Sequence, residues 1–273
     1  MSRGVKTVLL HAVLVVGAAA TLFPLLWMVS ASLMPQGAAS AVPPALVPGR
    51  PTLEHYRALF LRLDLGRAFF NSTLIAGLVT LVSLLLNALA GYALAKLRFP
   101  GRRRLFSTLL AAMVVPGQVA MLPLFLLLRS LGLVNTFAGV VLPAAASLFG
   151  IFLIRQYALS IPDELLEAAR VDGAGELRIW WSIVLPLCRP ALVTLALFTF
   201  VGTWSDFMWP LVVLTDESRY TLPVAVASLL GEHAVDVELM MAGSVVTVLP
   251  VLALFLLLQR HYIAGITMGS VKE

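Results

Sequence analysis

Residues Thr73–Ala95 read TLIAGLVTLVSLLLNALAGYALA, an apolar stretch without one charged side chain. A helix that crosses about 30 Å of hydrocarbon needs about 20 such residues. Backbone in lipid must satisfy its own N–H and C=O groups, so the stretch predicts a membrane-spanning helix. The turn beyond it is equally informative. Lys96-Leu-Arg-Phe-Pro-Gly-Arg-Arg-Arg104 is short and basic, and basic turns at span ends stay on the cytoplasmic side.

Working outward, five more segments pass the same test: Val8–Val29, Leu105–Leu128, Phe137–Ile154, Ala191–Leu214 and Met240–Leu258. The fourth span in chain order, Phe137–Ile154, is short and carries Pro143 and Gly150. The first has a basic start (Arg3, Lys6) like a signal peptide, but its apolar run exceeds the roughly 7–15 residues of a signal h-region, so it reads as a retained span. With the N-terminus inside, 13 of the 19 Lys and Arg fall on inner segments and 6 on outer ones, which puts both termini in the cytoplasm. The expected fold is an all-α integral membrane protein with six transmembrane helices. Residues 1–273 form one domain, with an outer loop at 30–68 and an inner loop at 159–190.

Composition agrees. Only 12% of residues are charged and 60% are hydrophobic, whereas a soluble domain carries about 25% charge. Disorder is excluded by the same figures. Cys188 is the single cysteine, and His11, His55, His233 and His261 form no ligand pair, so no metal site and no disulfide framework is expected. The net charge of +5 is what an inside-positive membrane protein carries, and nucleic acid is not expected as a partner.

The inner loop reads Ser160-Ile-Pro-Asp-Glu-Leu-Leu-Glu-Ala-Ala-Arg-Val-Asp-Gly-Ala-Gly-Glu-Leu-Arg-Ile-Trp-Trp-Ser-Ile-Val-Leu-Pro186. Pro162 followed by Asp163 and Glu164 is a helix start, because proline suits the first turn and acids favour its positive end. Gly173 stands where a helix would stop. A second helix spans about 176–183 and ends at Pro186. The product is a helix–turn–helix at the cytoplasmic surface, with Leu165, Ala168, Ala169 and Leu177 offered for packing. It is net acidic and lacks the basic and amide side chains of a DNA-reading helix. On physics alone, a partner-docking hairpin and an amphipathic hairpin lying on the bilayer stand side by side.

Glu167-Ala168-Ala169, then three residues, Gly173, nine residues, and Ile183-Val-Leu185-Pro186 resembles the EAA motif of ABC-importer inner-membrane permeases. The resemblance extends to the binding-protein-dependent carbohydrate branch, the group of the smaller maltose-importer permease. It is carried by Ala90-Gly-Tyr-Ala-Leu-Ala-Lys-Leu-Arg-Phe-Pro-Gly101, Pro116-Gly-Gln118, Leu131-Gly-Leu-Val-Asn-Thr136 and Phe152-Leu-Ile-Arg-Gln156. Trp204-Ser-Asp-Phe-Met-Trp-Pro210 and Gly265-Ile-Thr-Met-Gly-Ser-Val-Lys272 match it too. Ser205 and Glu273 depart from the pattern, where asparagine and glycine are usual.

The resemblance implies a permease that pairs with a second homologous permease, two ATPase subunits and an extracytoplasmic sugar-binding protein. It implies an ATPase-coupling role for Glu167, Ala168, Ala169, Gly173, Ile183, Leu185 and Pro186, with a further ATPase contact at Gly269 and Lys272. The chain has no phosphate loop of the GxxxxGK[ST] kind, so it is expected to bind no cofactor and to be no enzyme, ATP and Mg being used by the partner ATPase. Asp206 is the only acid inside an expected span, about 24 Å from the inner face at about 1.5 Å per residue. With Trp204 and Trp209 it is a candidate for the translocation path or an outer gate, and belt tryptophans beside a solvated acid are the plain alternative. The outer segment 215–239 carries Asp216, Glu217, Glu232, Asp236 and Glu238. It either steers the binding protein or simply faces water.

An ion-coupled secondary transporter would place ionisable or broken-helix sites at mid-membrane in repeated halves, and only the off-centre Asp206 qualifies. A membrane-embedded enzyme would need clustered His, Asp or Glu at one membrane face. Within the importer reading, glycerol 3-phosphate or another small solute competes with sugar.

Overall fold

The computed structural model describes residues 3–43, 45–61, 64–232 and 236–268, and among these it contains helices and no strand. α1 (Arg3–Ser32) and α2 (Glu54–Leu61) precede the long α3 (Leu65–Lys96). Next come α4 (Arg102–Ala112), α5 (Met121–Ser130), α6 (Phe137–Ala144) and α7 (Leu148–Leu159). After α8 (Asp163–Val171) and α9 (Glu176–Ile179), a π turn at Trp180–Val184 leads into α10 (Leu185–Leu187). α11 (Arg189–Trp204), α12 (Met208–Val213), α13 (Leu222–Glu232) and α14 (Val237–Met268) complete the order.

Gly4–Ser32, Leu65–Lys96, Phe137–Leu159 and Val237–Leu257 are each long and apolar enough to cross a membrane. Two further candidates exist only as bent pairs: Arg102–Ala112 with Gly117–Ser130, at 96°, and Glu176–Leu187 with Arg189–Trp204, at 79°. Among the described residues the count is therefore 4 to 6. The break after Ala112 corrects the expectation of a continuous helix over Leu105–Leu128. The 79° bend falls at Cys188, before Ala191–Leu214, which is interrupted instead between Trp204 and Met208. Pro116 is extended (φ −60°, ψ 132°) and biases Val115 away from helix. Pro210 cannot donate to the carbonyl of Asp206, four residues back, and α11 has already ended at Trp204.

The chain divides into two compact units, Met1–Gly66 with Leu222–Ala253, and Arg67–Thr221 with Leu254–Glu273. In the first, Ala31, Met34 and Ala39 form a small core with Trp27, Val237 and Met241. The Glu238 carboxylate is buried and accepts the Ala39 N–H at 2.7 Å. Asp236 accepts the Leu239 N–H at 2.9 Å, capping α14. Of the acids that were expected to face outward, Glu238 is thus spent on internal packing.

In the second unit, Ala88, Gly91 and Ala95 make a stripe of small residues along α3. A Cβ at Gly91 would lie 2.8 Å from Ile154 side-chain carbons and 3.0 Å from the Arg155 nitrogen. Lipid tails are as apolar as leucine, so helices in a membrane associate through close packing, and small residues permit it. The same interface holds buried polar groups. Asn87 donates to Ser83 Oγ at 2.6 Å and accepts the Ser147 N–H at 3.1 Å, while Ser147 Oγ accepts the Gly150 N–H at 2.9 Å. These bonds satisfy the backbone where α6 gives way to α7. A second cluster, Ile75, Val79, Leu128, Val140, Val213 and Leu214, joins α3 to α5, α6 and α12.

Candidate functional site

In the segment 160–187 a first helix and its turn form where the sequence expects them, whereas the second limb runs on as a π turn and a short helix to Leu187. Asp163 and Glu164 stand in the first turn of α8 and Arg170 in its last, each complementing the helix dipole. Gly173 adopts φ +81°. Its N–H bonds the Arg170 carbonyl at 3.0 Å, and the Ala174 N–H bonds the Ala169 carbonyl at 2.9 Å. This pair of bonds is a Schellman stop, which needs a left-handed residue and so favours glycine. Downstream the chain stays helical through Pro186 and bends only at Cys188. In the π turn over Trp180–Val184 the Leu185 N–H bonds the Trp180 carbonyl, just ahead of Pro186, which has no N–H to donate.

The packing face differs from expectation by one position. Leu166, not Leu165, is the buried leucine of α8 (1% against 46% exposed), and Leu177 is 73% exposed. Leu166 enters a core with Tyr92, Ala95, Ala158, Ile161, Ile179, Trp180, Val184 and Cys188. Helical periodicity offers two adjacent leucines and no way to rank them, because the face is chosen by α3 and α7.

Polar bonds join the hairpin to the end of α3. Lys96 Nζ donates to the Ile161 carbonyl at 2.5 Å and to Asp163 Oδ1 at 2.6 Å. One helical turn earlier, the Tyr92 hydroxyl donates to Glu176 Oε2 at 2.5 Å. Arg170 Nε donates to the other Glu176 oxygen at 2.7 Å. The ammonium beside Asp163 holds its carboxyl below the ordinary carboxylate range, and the Glu176 carboxylate raises the Arg170 guanidinium. Tyr92, Lys96, Arg170 and Glu176 all lie outside the residues that the motif singles out. Tyr92 and Lys96 are four apart in sequence, which was the available signal.

A cavity of about 870 Å³ opens between the Lys96–Arg102 turn and α8, lined among others by Arg98, Arg102, Glu167 and Arg170. Among the described residues the exposed Glu167 carboxylate makes no hydrogen bond or ion pair. Ala168 beside it is exposed, Ala169 is half-buried, Ile183 and Leu185 are half-buried, and Pro186 is exposed. Val171, Leu177 and Trp181 leave an apolar surface at the hairpin tip, 87%, 73% and 66% exposed.

The fifth-span candidates are arranged differently. Trp204 is buried, edge-on to Phe69 at 5.4 Å and stacked with Phe200 at 6.0 Å. Asp206 accepts the Trp209 N–H at 3.3 Å in the break before α12, and the Trp209 indole donates to the Gly139 carbonyl at 3.2 Å. Asp206 and Trp209 are therefore brought together, while Trp204 packs among aromatic rings. Nearby, Asn135 (φ 58°) accepts the Thr215 and Asp216 N–H groups at 3.2 Å each, and its carbonyl accepts from Arg219. The Leu131–Thr136 stretch thereby organises the turn after α12. Gly269 and Lys272 lie outside the described residues. No group of three or more His, Cys, Asp or Glu able to hold a metal occurs among the described residues.

Apolar helices of spanning length mark a multi-pass membrane protein. Similarity to known proteins narrows the class. The chain belongs to the family described as "Binding-protein-dependent transport system inner membrane component", whose model matches residues 87–267. It is 40% identical over 253 residues to the arabinooligosaccharides transport system permease protein AraQ of Halalkalibacterium halodurans, covering 92% of this chain and 91% of that one. It is 31% identical to the sn-glycerol-3-phosphate transport system permease protein UgpE of Yersinia enterocolitica, covering 94% of each. Among solved structures it is similar to a bacterial ABC transporter involved in the import of the acidic polysaccharide alginate. The TM-score is 0.85 at 26% identity, covering 95% of this chain and 98% of that one. The chain is thus an ABC permease subunit.

Proposed function

We propose that this subunit forms half of the translocation pathway of an ATP-driven importer for a sugar. Arg102–Ala112 with Gly117–Ser130 makes one span and α11 with α12 another, giving six, and both termini are cytoplasmic, as the distribution of basic residues favours. A second permease completes the pathway, an extracytoplasmic binding protein delivers the sugar, and two separate ATPase subunits hydrolyse ATP with Mg. The sugar assignment is supported by the relative named for arabinooligosaccharides and by the alginate transporter.

The observation that carries the coupling assignment is the unspent Glu167 carboxylate beside the exposed apolar tip of the hairpin. The neighbouring acids Asp163 and Glu176 are bonded internally, to Lys96, and to Tyr92 and Arg170. Glu167 is left to meet basic groups of an ATPase, with Ala168 and Ala169 allowing close approach and Gly173 setting the turn. Ile183, Leu185 and Pro186 carry the motion toward α11, and Gly269 and Lys272 add a C-terminal contact. Asp206 and Trp209 line the outer part of the path, with Trp204 supporting them from behind.

Co-purification in mild detergent tests the coupling. The wild-type chain retains a second permease and an ATPase, and Glu167→Lys loses the ATPase while keeping the permease. Full ATPase retention by Glu167→Lys would overturn the coupling role. ATP-loaded proteoliposomes test the cargo: they accumulate labelled arabinotriose, and accumulation of glycerol 3-phosphate instead would overturn the sugar assignment.

A further inference from the structure

The coupling scheme assigns nothing to the end of α3, although Tyr92 and Lys96 there are both bonded to the hairpin. We infer that Tyr92 and Lys96 are positioning residues, a two-point anchor that makes the hairpin and the end of α3 move as one body when the ATPase pulls. The inference rests on the coupling role proposed above.

The geometry is specific. Lys96 holds the start of α8 through the Ile161 carbonyl (2.5 Å) and Asp163 (2.6 Å). Its side chain is only 6% exposed, so these bonds are shielded on the lysine side. Tyr92 holds the start of α9 through Glu176 (2.5 Å), whose other oxygen is held by Arg170 at the end of α8 (2.7 Å). The two limbs of the hairpin are therefore tied separately to adjacent turns of one helix. A single tie would act as a pivot, whereas two fix orientation as well as distance. Leu166 fills the space between them in the core that contains Tyr92 and Ala95. Gly91 sits against Ile154 of α7, the helix that enters the hairpin. Packing alone permits sliding in discrete steps, and charge-assisted bonds at both limbs oppose it.

The test uses the intact complex in nanodiscs, with spin labels at Arg178 on α9, outside the apolar tip, and Leu81 on α3. Both are exposed, and the native Cys188 is buried and escapes labelling. Distances are measured by pulsed electron spin resonance without nucleotide and after trapping with Mg-ATP and vanadate. In the wild type one distance persists in both states. In Tyr92→Phe/Lys96→Met the nucleotide-free distance is unchanged, and trapping adds a population displaced by about 5 Å, one helical turn. Lys96→Arg in the Tyr92 background restores the single distance.

A double variant that matches the wild type in both states would overturn the anchor. So would one displaced equally without nucleotide, since that is the mark of a static brace. Glu167→Lys, run in parallel, separates the two claims. If it keeps its ATPase, the coupling role falls and the anchor with it. If it loses its ATPase while the double variant behaves as wild type, the anchor alone falls.

Discussion

The Asn87 side-chain oxygen accepts the backbone N–H of Ser147 at 3.1 Å, bridging α3 to the gap between α6 and α7. Asn87 is fully buried, and its amide nitrogen donates to Ser83. A helix interrupted at membrane depth leaves N–H groups that lipid cannot satisfy. Here one asparagine from a neighbouring helix and the Ser147 cap supply the missing acceptors.

Asn87→Leu should therefore destabilise by about 1–3 kcal/mol, the cost of leaving a buried donor unpaired. Leucine keeps the heavy-atom count and branching of asparagine and removes both hydrogen-bonding groups. Denaturant titration of the purified chain, following helix content, measures it. An unchanged midpoint would refute the bridging role.

Gly91→Val should destabilise by about 1–3 kcal/mol through overpacking, because α7 meets α3 with no room for a side chain there. Gly91→Ala should act in the same direction and less. Thermal unfolding in one detergent compares them, and the order Val worse than Ala worse than Gly is the expected outcome.

Gly173→Leu meets no steric neighbour within 4 Å, so its cost is conformational, about 1–2 kcal/mol for a left-handed backbone. Insertion and helix content should stay normal, while uptake uncouples from ATP hydrolysis. Gly173→Asn should retain most coupling, since asparagine tolerates positive φ. The ratio of solute imported to ATP hydrolysed reads the effect, and a wild-type ratio in Gly173→Leu would contradict it.

The Asp163 carboxyl is held below its ordinary range by Lys96. The folded value lies below the unfolded value of about 3.9, so its contribution is full above that pH and disappears as pH falls through the lowered value. The thermal midpoints of wild type and Asp163→Asn should run parallel from pH 8 to about 5 and converge below about 4. Curves that coincide throughout, or keep one offset down to the lowest pH, would mean that the Lys96 pair has no share in stability.

The legible parts share a physical feature: each is decided within one turn or one apolar run. The stop at Gly173 follows from glycine's freedom at positive φ, and the start of α8 from Pro162, Asp163 and Glu164. The 23 residues of Thr73–Ala95 fall inside one helix. Illegible parts were those in which another helix chooses. The preference for Leu166 over Leu165 depends on where Tyr92 and Ile161 lie. Trp204 carries an indole suited to stacking on a ligand, and Phe69 and Phe200 occupy that role. Asn135 gave no local sign that it would gather the turn at 215–219.

By itself, the sequence determined a multi-pass helical protein and the place of the turn at Gly173, because hydropathy and turn chemistry are properties of short segments. The tertiary structure decided where the third and fifth apolar runs break, which acids are spent internally, and that Lys96 and Tyr92 hold the hairpin. Those outcomes depend on which groups arrive from distant parts of the chain to satisfy a freed N–H or a buried charge. No single segment carries that information.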